Sequence, residues 1–360
     1  MSRRIILFGP LPPPYGGVAI YMKALAAHLH HSNVRVWTYG GAQSNNAGTP
    51  VRFIAHRKLG TLWALIAEGR EARILDASHF HLEYPNPLLL PIWLLLKPLM
   101  RFEWYKNVLD GSLPKRYSHF GATQRWLFHQ AVKSVDQFVV VSEELKRWLK
   151  EEIKVRQPVT VIPCLLTNPW DDGETKLSNQ TAELIKPYLA HDKRVCSIGV
   201  FFQSYGFKEV AEAVENLREA TKVDIGLILL DGAFVRDDGY RCQTLRERDW
   251  ITVLEKVPHH ESQVILKRSD AFVRAVADEG YGISRIEALW CGTPVVATRT
   301  GETRGMQLYD FGDKEQLVSR LHEVLLGQAP EDISAWADHY RREAQHNLEA
   351  VIKVLGVEGK

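Results

Sequence analysis

The chain has 360 residues, 45% of them apolar and 24% charged, with a formal net charge of +2, which fits a globular protein of about two or three domains. Its four cysteines, Cys164, Cys196, Cys242 and Cys291, stand too far apart for a zinc knuckle or a redox pair, so a reducing cytoplasm is expected rather than a disulfide framework. No apolar run reaches the ~20 residues a spanning helix needs, and Ile5 to Phe8 is too brief an apolar stretch for a signal peptide.

The small net charge conceals an asymmetry. Residues 1–165 hold 21 Lys and Arg against 11 Asp and Glu, a difference of +10, while residues 166–360 hold 24 against 32, a difference of −8. A basic half joined to an acidic half suggests different partners, and a basic surface favours phosphates or anionic headgroups. Scattered solvated side chains are the alternative.

In chain order, Arg4–Phe8 reads as a short strand running into the Pro- and Gly-rich loop Gly9 to Gly17, and Val18–His31 as a helix. Strands are expected at 34–37, 77–82, 103–109, 136–142 and 160–163, with helices at 60–73, 87–100, 121–133 and 143–152. Residues 166–190 are polar around Asn168-Pro169-Trp170-Asp171-Asp172-Gly173 and read as a linker. The pattern then restarts, with strands at 194–200, 224–230, 250–255, 271–276 and 293–298. Helices are expected at 208–221, 261–268, 287–291, 314–326 and 332–355. Strands alternating with helices imply α/β architecture with parallel sheets covered on both faces. The expected organisation is two Rossmann-like domains facing a cleft: 1–165, a linker at 166–190, 191–331, and a C-terminal helix at 332–360 packing back on the first domain.

The most informative segment is Ala277-Asp278-Glu279-Gly280-Tyr281-Gly282-Ile283-Ser284-Arg285-Ile286-Glu287-Ala288-Leu289-Trp290-Cys291-Gly292-Thr293-Pro294. Its glycines allow a sharp turn that exposes consecutive N–H groups at a helix start. A phosphate can be held there by the backbone alone. Glu279 and Glu287 form a carboxylate pair able to accept hydrogen bonds from sugar and ribose hydroxyls on either side of a diphosphate.

This segment resembles the nucleotide-sugar signature of GT-B glycosyltransferases, in particular glycosyltransferase family 4. The resemblance implies Glu279 near the donor sugar, Glu287 on the ribose, and the backbone of Gly280, Tyr281, Gly282, Ile283 and Ser284 on the pyrophosphate. The loop Pro12 to Ala19 resembles the family's N-terminal Gly-Gly loop, which implies that Gly16 and Gly17 lie against the donor; only glycine permits so close a backbone approach. Ser134 to Ser142, Val161-Ile162-Pro163 and Val257-Pro258-His259-His260-Glu261 resemble further family strands and a loop near the nucleotide base.

Three departures stand out. The family often carries an Arg and a Lys on the diphosphate, where this chain reads Gly199-Val200 and Tyr205-Gly206. Arg274 could supply the missing charge, or could serve packing alone. Many members also place a histidine beside the transferred sugar, and here the matching loop carries Asp110. An ionised aspartate accepts but does not donate, so Asp110 either takes a sugar hydroxyl or belongs to a plain turn. His79 and His81 flank a strand end and could replace the missing histidine, or be structural.

The very apolar stretch Pro87 to Arg101 reads either as a buried helix or as a segment lying in a membrane interface beside the basic half. The resemblance implies transfer of a sugar from a UDP- or GDP-sugar to a glycan, glycolipid or lipid-linked acceptor, with retention of configuration. It implies no cofactor, no metal and no nucleic-acid partner, and a cytoplasmic location, either free or at the inner membrane face. A non-catalytic sugar-nucleotide-binding subunit is the competing reading.

Overall fold

The computed structural model describes residues 3–13, 16–29, 33–39, 50–54, 59–85, 87–166, 176–232, 236–327 and 332–357. By compactness the chain divides into two units. One comprises residues 1–13, 18–166 and 345–360, the other residues 14–17 and 167–344.

The first unit alternates short strands and helices: β1 (Ile5–Phe8), α1 (Gly17–His28), β2 (Val34–Thr38), β3 (Val51–Phe53), α2 (Leu59–Glu68), β4 (Arg73–Asp76), α3 (Leu89–Met100), β5 (Glu103–Val108), α4 (Leu113–Ser118), α5 (Ala122–Ser134), β6 (Gln137–Val140), α6 (Glu143–Glu151) and β7 (Val159–Val161). Among the described residues these strands form a seven-stranded sheet in the order β3-β2-β1-β4-β5-β6-β7, and every pairing is parallel. All four residues of β1 are buried, as a strand covered on both faces requires. Helix α6 starts where Ser142 Oγ accepts from the Leu145 N–H at 3.2 Å, with Glu143 and Glu144 in its first turn. Both features complement the positive helix end.

The second unit contains α7 (Asn179–Leu184), α8 (Lys186–Leu189), β8 (Lys193–Gly199), α9 (Phe207–Thr221), β9 (Ile225–Asp231), α10 (Asp238–Leu245), β10 (Ile251–Glu255), α11 (His259–Lys267), β11 (Ala271–Arg274), α12 (Ile283–Trp290), β12 (Val295–Thr298), β13 (Gln307–Tyr309), α13 (Lys314–Leu325) and α14 (Ile333–Leu355). Among its described residues a six-stranded sheet runs β10-β9-β8-β11-β12-β13, again with parallel pairings. Seven consecutive residues of β9 are buried, and the core beneath α9 and α13 gathers Phe201, Phe207, Val214, Leu227, Leu321 and Val324. Both sheets are therefore Rossmann-like. Each reverses strand order once, between β1 and β4 and between β8 and β11, and ligands of such sheets bind beyond the strand ends at that reversal.

The last helix is shared. Trp290 Nε1 donates to the Ala337 carbonyl at 3.1 Å within the second unit. Asn347 Nδ2 donates to the Leu165 carbonyl at 3.2 Å within the first.

The structure departs from the sequence expectation at several elements. The strand expected at 77–82 lies at Arg73–Asp76, because Gly69 closes α2 and Glu71 takes a left-handed turn at φ 55°. Residues 77–85 are consequently the loop beyond the strand. The helix expected at 287–291 begins four residues earlier, at Ile283. Helices α7 and α8 occupy the end of the expected linker, of which residues 167–175 lie outside the described residues.

Candidate functional site

The ends of β8 and β11 flank the reversal in the second sheet. Strand β11 ends at Arg274, and the chain then turns through Glu279 and Gly280 into α12. The turn depends on Gly282, which caps α12 with φ 90° and ψ 56°, a left-handed conformation that a side chain would strain. A Cβ there would also meet Glu279 Cγ at 3.2 Å and Arg285 Cδ at 3.0 Å. Among the described residues no acceptor meets the N–H groups of Ile283 and Ser284. The first turn of an eight-residue helix thus presents unpaired donors, and the positive helix end favours an anion there.

Arg274 is the cation beside that turn. Its Nε and Nη2 both lie 2.8 Å from Glu279 Oε2, its Nη1 donates to the Ile198 carbonyl, and its guanidinium sits 5.3 Å from the Tyr205 ring centroid. Gly199, next to Ile198, leaves no room for a Cβ, which would fall 2.9 Å from Tyr205. The guanidinium therefore lies among Ile198, Gly199 and Tyr205, the surroundings in which the family pattern led to an expectation of two other cations.

Glu287 is 6% exposed and its Oε1 lies 2.5 Å from His259 Nε2 at the start of α11. The sequence marked the His259 loop but gave no sign of this pairing, which spans 28 residues. Tyr281 turns its side chain away: its hydroxyl donates to Glu343 at 2.5 Å and its carbonyl accepts from the Glu302 N–H at 2.8 Å. Sequence reasoning also gave no role to Arg285. That side chain is fully buried and donates to the carbonyls of Thr298, Thr300 and Glu302, clamping the loop after β12 beneath the turn. Burial pushes its pKa down to about 10 against the opposing pull of Glu279, which leaves it charged at neutral pH.

Gly16 precedes α1 and a Cβ on it would meet nothing within 4 Å; Gly17 is the first residue of α1, and by compactness both group with the second unit. Pro14 and Tyr15 of that loop lie outside the described residues. Asp110 follows β5 and accepts from the Ser112 N–H and Oγ at 2.8 and 2.7 Å and from Arg116 Nη1 at 2.8 Å. Burial opposes its ionisation, yet the Ser112 bonds and Arg116 hold its pKa below the usual carboxylate value.

His81, expected beside the transferred sugar, is 3% exposed. Its Nδ1 lies 3.0 Å from Asp76 Oδ2 and its ring packs 4.6 Å from Trp93 and 5.1 Å from Trp104. This enclosure fits the structural alternative of the two that the sequence left open for His81. Lys106 Nζ lies 3.6 Å from Asp76 and 3.3 Å from Glu83 in the same buried network. His79 differs: it is only half-buried, its Nδ1 has no hydrogen-bond partner, and its proximity helps to lower the Asp110 pKa.

The buried network makes a prediction. Burial alone would raise the Asp76 pKa, but Lys106, His81 and Ser78 hold it well below its ordinary value. A lowered carboxylate pKa adds stability that is present above the unfolded value, about 4, and is lost as pH falls below it. Thermal midpoints between pH 7 and 3 are expected to fall less steeply for Asp76→Asn than for the unaltered chain, from a lower starting value at pH 7; parallel curves would remove this role.

Among the described residues no three His, Cys, Asp or Glu side chains are grouped as metal ligands. Nor is any helix long and apolar enough to cross a membrane.

Comparison with known proteins bears on the family and the fold. The model of Glycosyltransferase Family 4 matches residues 15–166, and that of Glycosyl transferases group 1 matches residues 183–329. A Bacillus subtilis (strain 168) relative, TuaC, bears the name of a teichuronic acid biosynthesis glycosyltransferase and is 28% identical over 216 residues, 59% of this chain. That match spans 50% of the relative's length. The Anabaena protein HepE, solved with UDP and glucose, has a TM-score of 0.77 at 15% identity, covering 98% of this chain and 100% of that one. Sucrose-phosphate synthase from Thermosynechococcus elongatus has a TM-score of 0.69 at 17% identity, covering 99% and 97%. At those identities the two structures share the fold. With two parallel Rossmann-like sheets and a family model matched to each, the chain belongs to the GT-B glycosyltransferases of family 4.

Proposed function

We propose that the protein transfers a sugar from a nucleoside diphosphate sugar to a hydroxyl of a glycan, glycolipid or lipid-linked acceptor, with retention of configuration. The observation that carries this reading is the grouping of Arg274 and the unpaired N–H groups of Ile283 and Ser284 beyond the strand ends where the second sheet reverses. A leaving diphosphate gains negative charge as the bond from the anomeric carbon to its oxygen breaks, and fixed donors aimed at that charge lower the barrier. Arg274 and the α12 N-terminus are such donors, so the charge is met by protein groups. Glu279, held against Arg274, is assigned to the donor sugar hydroxyls, and Glu287 to the ribose. His79, rather than His81, is assigned to the transferred sugar, and Asp110 to a hydroxyl. Retention rests on the family resemblance of the Glu279–Glu287 segment. The UDP and glucose in the Anabaena structure favour a uridine donor, with guanosine as the alternative.

Thermal-shift screening against UDP, GDP, ADP, CMP and dTDP sugars tests the donor class, because a bound ligand stabilises the fold by mass action. Absence of a shift with any of them would remove the reading. Glu287→Ala is expected to weaken binding of the selected nucleotide roughly tenfold to a hundredfold, the cost of losing hydrogen bonds to a charged acceptor. Calorimetric titration reads this directly, and unchanged affinity would take Glu287 off the ribose.

A further inference from the structure

Glu287 and His259 meet across two helices that the second unit holds in fixed relation. Helix α11 starts at His259, and α12 carries Glu287 in its second turn. Past the end of α12, the Thr293 hydroxyl donates to the Leu266 carbonyl of α11 at 2.6 Å, and Cys291 Sγ lies 3.5 Å from the Gln263 carbonyl. His259 is tied at its own backbone as well, where the Ser262 hydroxyl donates to its carbonyl at 2.7 Å. The His259 and Glu287 side chains are 12% and 8% exposed, so the pair is largely shut off from water.

The two oxygens of Glu287 are not equivalent. An ionised carboxylate accepts and does not donate, so the 2.5 Å contact places the imidazole proton on Nε2, which donates to Oε1. The amide of Gln263, itself 2% exposed, lies 3.3 Å from the same ring nitrogen. Among the described residues no donor meets the other oxygen, Oε2. One oxygen is therefore held by the protein while the other is left for a ligand. A glutamate free to sample its rotamers must be ordered when a ligand binds, which weakens affinity by up to about tenfold. Glu287 is already ordered by its partner.

We infer that His259 is a positioning residue for the ribose. It holds Glu287 so that Oε2 accepts from the 2′-hydroxyl, and the pair selects ribonucleotides over deoxyribonucleotides. A site built to bond a hydroxyl rejects the analogue that lacks it, because its buried acceptor is then left unpaired. Donors built on dTDP, which lacks that hydroxyl, are accordingly poor ligands. The inference rests on the proposed placement of Glu287 on the ribose, and adds the residue that holds it and the class of nucleotide it selects.

Calorimetric titration of the full chain with UDP and GDP, each beside its 2′-deoxy counterpart, tests it. The ribonucleotide is expected to bind at least about tenfold more tightly than its deoxy form, the effect of one hydrogen bond to a charged acceptor. His259→Ala is expected to weaken ribonucleotide binding about three- to tenfold and to leave the deoxy form nearly unchanged, so that the preference shrinks to within about threefold. His259→Gln, whose amide nitrogen donates where Nε2 did, is expected to recover most of that preference. In a Glu287→Ala background, His259→Ala is expected to add nothing, since its effect passes through the carboxylate.

Equal affinity of the unaltered chain for the two forms would overturn the inference. So would absence of binding by both UDP and GDP, which removes the donor reading with it. A preference that Glu287→Ala abolishes but His259→Ala preserves would overturn the positioning role alone and leave the donor reading standing. A cost of His259→Ala that persists without Glu287 would show the histidine acting on the nucleotide by itself, and likewise overturn it. Thermal midpoints of each variant separate lost folding from lost binding, and His259→Gln carries the comparison where the alanine variant does not fold.

Discussion

Arg274→Ala is expected to lower kcat/KM for the nucleotide sugar about 100- to 1,000-fold while the protein stays folded, the range that follows removal of one fixed donor from a developing anion. The expectation rests on what surrounds the side chain. Arg274 is 12% exposed, held by Glu279 and the Ile198 carbonyl and stacked near Tyr205. Its position is fixed before any ligand arrives, so little reorganisation accompanies the reaction. The glutamate that fixes it is also the residue assigned to the donor sugar, which couples the charge on the diphosphate to the placement of the sugar. Arg274→Lys keeps the charge but not the planar fork and is expected to recover part of the loss. Steady-state kinetics with thermal midpoints decides the matter. A midpoint that falls while kcat/KM stays within about threefold of the original would reduce Arg274 to a packing residue.

Arg285→Ala is expected to destabilise the second unit by about 3–5 kcal/mol, the usual result of truncating a large buried side chain and leaving its buried acceptors unpaired. The side chain is fully buried, and its Nη1 serves the carbonyls of Thr298, Thr300 and Glu302 at once. Truncation strands those acceptors and opens a cavity. For a unit of this size the thermal midpoint should fall by roughly 10 °C. The damage should also reach the site. The clamped loop carries Gly301, whose φ of 66° places it where a Cβ would lie 2.8 Å from the Tyr281 carbonyl and 3.0 Å from Glu279 Cγ. Loosening that loop removes the floor beneath Glu279. Arg285→Met, which restores volume but no donors, is expected to recover only part of the stability. Differential scanning calorimetry of both variants checks this, and a midpoint within 2–3 °C of the original for Arg285→Ala would sink it.

Much of this molecule could be read from its residues in order. Short apolar runs such as Ile5–Phe8 and Ile225–Asp231, separated by helical segments, sufficed for two parallel sheets, because a strand covered on both faces tolerates no alternation. The glycine-bounded turn from Glu279 to Ser284 was equally legible, since the need for Gly282 at positive φ is a local backbone requirement. The strand at Arg73–Asp76 was displaced in the reading. Residues 77–82 mix apolar Ala77, Phe80 and Leu82 with polar Ser78, His79 and His81, whereas Asp76 holds Ser78 and His81 in a buried loop beyond the strand.

The apolar helix near residue 93 illustrates the division most clearly. Its composition was determined by the sequence, and composition alone allowed either a buried helix or an interfacial one. Only the packing shows that Trp93 is covered while Leu95 and Leu99 stay outside. The same holds at the candidate site. Sequence supplied Glu287, Arg274 and the open turn, but the hydrogen bond of Glu287 to His259 crosses 28 residues, and that of Arg274 to Ile198 crosses 76. Short-range preferences specify helices, strands and turns because they act within a few bonds. Which side chains share a space is set by how the sheet brings distant strand ends together, and no local pattern carries that information.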